Sequence, residues 1–141
     1  MNRSVDRLRT LRVCDVMSTH VVPLGDDESV THAAGVLLDH EISGAPVVDT
    51  EGQVIGVVSS TDFVRCAHEQ CDVSNLTVTD VMAAAVQTIS QHASLLEAGR
   101  IMCGAHIHRL FVVDGQGHPV GVLTALDLVA ATVQSIEEAF T

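Results

Sequence analysis

Apolar residues at positions 30, 33, 34, 37 and 38 recur with the spacing of one helix face, which predicts a helix that Ser29 or Asp27 can cap. An extended segment, His20 to Leu24, precedes it. After it, Ala45-Pro46-Val47-Val48-Asp49 and Val54 to Val58 are short apolar runs separated by Thr50-Glu51-Gly52, the pattern of a β-hairpin. A second helix is expected from about Thr61 to His68, and Glu69 to Leu76 reads as a polar connector.

The whole pattern then repeats. Shifted by 65 residues, Asp15-Val16-Met17 falls on Asp80-Val81-Met82, Val47-Val48-Asp49 on Val112-Val113-Asp114, Gly52 on Gly117, and Gly56 on Gly121. Ser59 falls on Thr124 and Asp62 on Asp127. The helical stripe becomes Leu95, Ala98, Gly99, Met102 and Cys103, the hairpin Leu110 to Asp114 with Val120 to Leu123, and the last helix about Ala125 to Ala139. A self-match that preserves turns as well as apolar runs is a tandem duplication. Pro46 and Pro119 are expected at sheet edges or strand starts, where a missing donor is tolerated.

Composition narrows the possibilities. Of 141 residues 47% are hydrophobic, enough for one buried core, yet Trp and Tyr are absent and Phe63, Phe111 and Phe140 are the only Phe. Val, Ala, Leu and Ile must therefore fill the interior, and three Phe argue against an aromatic cage or base-stacking platform. Seven Arg and no Lys face 18 acids, for a net charge of −11. Arg3, Arg7, Arg9 and Arg12 crowd the first twelve residues, which read as a short solvated helix, and without that segment the net is −14, which repels nucleic acid. No stretch approaches the roughly 18 apolar residues of a membrane span, and the start lacks a secretory apolar run. A cytoplasmic protein with no membrane partner is expected, its Cys14, Cys66, Cys71 and Cys103 reduced.

Strand, helix, strand, strand, helix, twice over, with Gly-Val-Val-Ser-Ser-Thr-Asp at 56–62 and Gly-Val-Leu-Thr-Ala-Leu-Asp at 121–127, resembles the tandem cystathionine-β-synthase (CBS) domain pair, or Bateman module. The resemblance covers about residues 13–135. It implies an α/β (α+β) fold of two β-α-β-β-α repeats packed with pseudo-two-fold symmetry. The divisions are a basic segment 1–12, repeat 13–70, linker 71–77, repeat 78–135 and a helix end 136–141. It further implies a cleft holding an adenosine-containing ligand, with Asp127 or Asp62 on the ribose hydroxyls and Thr124 or Ser59 near a phosphate. The same residues also make good helix starts, a hydroxyl cap followed by an acid in the first turn, and both readings stay open.

His108-Arg109 resembles the pair with which nucleotide-binding members meet phosphate, and Arg109 suits a forked contact. Ser43 and Gly44 stand at the matching positions of the first repeat, so the two clefts should differ. Thr61 keeps the polar residue that strong binders place before the ribose Asp, whereas Leu126 departs from it. Adenine would rest near Val22, Pro23 and Ala45, or Val86 to Thr88.

Cys66, His68 and Cys71 offer three soft ligands, at a spacing that matches no standard zinc pattern, so no metal site is assigned; His106 reads as a helix-end residue. Nothing pairs a nucleophile with a base, so no enzyme is expected. The leading expectation is a regulatory module that requires no cofactor, binds AMP before ADP or ATP, and signals to a partner as a homodimer. Scarce positive charge disfavours the triphosphate, cationic S-adenosylmethionine is a competitor, and NAD-type ligands are less favoured. The alternatives are a ligand-free dimerisation scaffold, using Ala-rich helix faces at Val81 to Val86 and Val129 to Val133, and a metal or redox sensor.

Overall fold

A computed structural model describes residues 3–84 and 86–140. Seven helices and six strands run in the order α1 (Arg3–Thr10), α2 (Val13–Val16), β1 (Leu24–Gly25), α3 (Val30–Asp39), β2 (Gly44–Val48), β3 (Val54–Ser59), α4 (Ser60–His68), α5 (Val78–Val81), β4 (Thr88–Ser90), α6 (Leu95–Ala105), β5 (Arg109–Val113), β6 (Pro119–Thr124) and α7 (Ala125–Ala139). They form two three-stranded sheets, ordered β1-β2-β3 and β4-β5-β6. In each, a parallel pair, β1 with β2 or β4 with β5, is joined through the crossing helix α3 or α6.

The contacts divide the chain into two compact units. One comprises the described residues up to His20, then Gln87–Gln116 and those from Val120 on; the other is Val21–Val86 with Gly117–Pro119. Each unit therefore takes its opening segment from the other repeat. Val13, on α2, lies fully buried with Leu95, Leu110, Val112 and Leu123 of the second repeat. Val78, on α5, lies equally buried with Leu24, Val47 and Val58 of the first. Each such side chain contributes about 1.5–3 kcal/mol by leaving water, so neither exchange is incidental.

Two glycines make the exchange possible. A Cβ on Gly121 would meet the Ser18 carbonyl at 2.8 Å and the Met17 side chain, and one on Gly56 would meet the Ala83 carbonyl at 3.0 Å and the Met82 side chain. Backbone pairs Ser18 with Val122 and Val57 with Ala83 hold these approaches, so the Asp-Val-Met and Gly motifs are two halves of one contact.

Several expectations change in detail. The extended segment His20 to Leu24 contributes only Leu24 to a strand, which Gly25 completes. Pro46 lies inside the central strand β2, not at an edge; it is tolerated because β1 pairs only with Val47 and Val48 and stops short of it. Pro119 does begin its strand. Val81 to Val86 is no helix face, because α5 ends at Val81 and the chain extends to pair at Ala83; Ala85 lies outside the described residues. Within the connector, Val73–Asn75 forms a 3-10 turn capped by Asp72.

Candidate functional site

Four acids repeat one local device. Asp15, Asp62, Asp80 and Asp127 each sit at the third position of a helix and accept a hydrogen bond from the backbone N–H three residues earlier, at 2.8, 2.8, 2.9 and 2.8 Å. Two orphan amides at each helix start are satisfied in this way when the cap residue answers. At α7 it does: the Thr124 hydroxyl oxygen accepts from the Asp127 N–H at 3.1 Å. At α4 the Ser59 hydroxyl instead donates to Asp62 Oδ2 at 3.1 Å.

The second carboxylate oxygen separates the repeats further. Arg65 Nη1 donates to Asp62 Oδ1 at 3.1 Å, and the residue matching Arg65 in the second repeat is Ala130. Among the described residues, Asp127 has no such clasp. It lines a cleft of about 410 Å³ with Arg7, Leu11, Asp15, Val16, Ala130, Ala131 and Gln134. Arg7 Nε is 3.3 Å from Glu138 Oε2 across this region, and both side chains are about half exposed. The cleft thus presents carboxylate acceptors for hydroxyl groups beside one guanidinium. Arg7, Asp15 and Gln134 were not among the sequence candidates; repetition of the Asp-Val-Met motif was the available signal for Asp15.

Strand β5 delivers the remaining second-repeat candidates. The His108 carbonyl accepts from the Ala125 N–H at 2.8 Å, which ties the strand entrance to the start of α7. His108 is exposed and Arg109 half-buried, its guanidinium 5.7 Å from the centre of the Phe111 ring. Burial lowers the Arg109 pKa. Neither residue lines the cleft just described.

In the other unit the matching tie runs from the Ser60 N–H to the Ser43 carbonyl at 2.9 Å, with no charged group at either place. Thr61 is exposed, Val22 half-buried and Pro23 exposed, while Ala45 is wholly enclosed in β2 opposite Val58. Cys66 is buried at the end of α4, where hydrogen bonding to Cys71, then burial, push its thiol up to about 11. His106 terminates α6 in the left-handed conformation, φ 54°, as a helix-end residue. Among the described residues, no three His, Cys, Asp or Glu side chains converge to hold a metal ion, so Cys66, His68 and Cys71 do not form one group.

The CBS domain model matches residues 13–69 and again 78–133. The chain belongs to the CBS domain family. Arabidopsis thaliana CBSX2, solved in complex with AMP, is 27% identical to this CBS pair and superposes with a TM-score of 0.75 over 87% of this chain and 96% of that one. The CBS domain of a membrane protein from Sphaerobacter thermophilus is also 27% identical, with a TM-score of 0.77 over 91% of each chain. The CBS pair of protein MJ0100, solved with 5′-methylthioadenosine and S-adenosylmethionine, shares the fold at 23% identity. Bacillus subtilis YhcV, a CBS domain-containing protein, is 28% identical over 82% of this chain and 81% of its own length. Inosine-5′-monophosphate dehydrogenase of Nitrosopumilus maritimus is 32% identical over 86% of this chain, and the chain spans about a quarter of the length of such first-matched relatives. No helix among the described residues is long and apolar enough to cross a membrane.

Proposed function

We propose that this CBS pair is a non-catalytic cytoplasmic regulator that binds an adenosine-containing ligand, AMP in preference to ATP, at the start of α7. The reading rests on one observation: Asp127 shares the motif of Asp62 and, like it, accepts from the backbone N–H that opens its helix, but among the described residues it lacks the arginine that occupies Asp62 Oδ1. A carboxylate oxygen directed at no cation is the better acceptor for a pair of ribose hydroxyls. Thr124 and the backbone amides of the helix start favour an anion, and His108 and Arg109, at the adjoining strand entrance, are the phosphate candidates. The AMP complex of CBSX2 supports the ligand class. With 18 acids against seven Arg, a monophosphate finds enough counter-charge where a triphosphate does not.

The module acts as a homodimer and passes ligand occupancy to a separate partner. Asp62, Ser59 and Thr61, with Val22 and Pro23, make a weaker second site, from which Ala45 is withdrawn because it is wholly enclosed in β2. Thermal-shift and calorimetric titration with AMP, ADP, ATP and S-adenosylmethionine test the assignment. AMP should raise the melting temperature most, Asp127→Ala should abolish that rise, and Arg109→Ala should weaken it. An AMP affinity unchanged in Arg109→Ala removes the phosphate role; stabilisation by none of the four removes the ligand.

A further inference from the structure

Helices α3, α4 and α6 end in the same way. Past the last turn of each, the backbone goes left-handed at Glu41, Gln70 and His106, with φ 54, 58 and 54°. The next N–H then reaches back to the carbonyl five residues earlier: Ile42 to Leu37 at 3.0 Å, Cys71 to Cys66 at 3.0 Å and Ile107 to Met102 at 3.1 Å. Such an ending brings the side chains of the two bonded residues together. At α3 and α6 they are large and apolar, Leu37 with Ile42 and Met102 with Ile107, and they pack into the two cores. At α4 they are two thiols.

We infer that Cys66 and Cys71 form a redox site, closed by a low-molecular-mass disulfide into an intramolecular Cys66–Cys71 bond that locks the end of α4 to the connector. Geometry allows the bond. The covalent links on either side of the 3.0 Å hydrogen bond hold the two Cα atoms within about 7 Å, and bridged cysteines have Cα atoms roughly 4.4–6.8 Å apart. The Cys66 thiol is itself hydrogen-bonded to Cys71. Filling the turn is a poorer explanation, because a thiol buries less apolar surface than the Leu, Ile or Met that the sister helices use there. Nor does the duplication account for the pair. The 65-residue shift sets Ala131 and Ile136 on these positions, inside the unbroken α7. With no third ligand gathered around the two thiols among the described residues, a metal ion is the weaker occupant.

The two sulfurs differ in exposure, and this sets the order of reaction. Cys71 is half-buried and meets the oxidant, whereas Cys66 is 2% exposed. The Cys71 thiolate attacks one sulfur of R–S–S–R to form a mixed disulfide, and the other sulfur leaves as RS⁻ and takes up the proton that Cys71 lost. Hydrogen bonding to Cys71, then burial, raise the Cys66 thiol to about 11, so it keeps its proton until that stage. It then yields the proton and attacks the Cys71 sulfur, and the second RS⁻ departs with that proton. Two electrons pass from the cysteines to the reagent, and two RSH are released.

Trypsin supplies the test, because Cys66 to Arg100 is one tryptic peptide that holds both cysteines and no other. The natural protein is held with excess oxidised glutathione, and remaining thiols are alkylated in denaturant before digestion. The peptide should emerge unalkylated and two hydrogen atoms lighter, and dithiothreitol should reverse the change. Two alkyl groups, or one alkyl group beside one lasting glutathione, overturn the site. Cys66→Ser should retain one glutathione on Cys71, while Cys71→Ser should leave Cys66 without any; glutathione on Cys66 in that second chain overturns the order of attack. Oxidation should also raise the urea midpoint of the natural protein and leave that of Cys71→Ser in place. A midpoint lowered by oxidation means that the bond strains the helix end, and overturns its fit there. The peptide mass stands even if either variant fails to fold.

Discussion

At the scale of single residues, equivalent positions have been put to different use. Asp62 and Asp127 each hold the amide that opens their helix, so replacing either with Ala should cost about 1 kcal/mol in urea denaturation. Their effect on ligand should differ: Asp127→Ala should eliminate stabilisation by AMP and Asp62→Ala should leave most of it. Cys66 gives a second residue-level test. Its thiol pKa is raised in the folded chain to about 11, so the native state keeps a proton that the unfolded chain releases at lower pH. Stability should therefore decline as pH rises from the ordinary thiol range toward 11, a decline that Cys66→Ala should flatten in the urea midpoint.

At the scale of elements, helix starts and hairpins were legible because each carries a local signature. The stripe 30, 33, 37 with Ser29 became α3 with the Ser29 hydroxyl capping His32, and Ala125 to Ala139 became α7. What was not legible depends on contacts distant in sequence. Pro46 reads as an edge residue until the short reach of β1 is known, and Val13 and Val78 read as ordinary apolar residues until each is found in a core made by the other repeat. The cleft was half legible: Asp127 was marked by its motif, but Arg7 and Gln134 became neighbours only through the packing of α1 on α7. Gly121 tests this level. Gly121→Ala drives a methyl into the Ser18 carbonyl, a backbone atom that cannot swing aside, and should lower stability by about 1–3 kcal/mol.

At the scale of the whole molecule, duplication has produced two halves that are not interchangeable. Charge distinguishes them, since Arg109 belongs to the second strand entrance and Ser43 and Gly44 to the first. So does surface, because Thr61, Val64 and His68 of α4 stand where α7 exposes the apolar Leu126, Val129 and Val133. The crossing of Met17 to Gly121 and of Met82 to Gly56 has a consequence for how such a chain tolerates being cut. A gene severed between Leu76 and Thr77 would yield two fragments, each missing the side chains that complete its interior and holding those its counterpart lacks. Expressed apart they should be poorly ordered, and mixed they should restore one another, which circular dichroism before and after mixing would register.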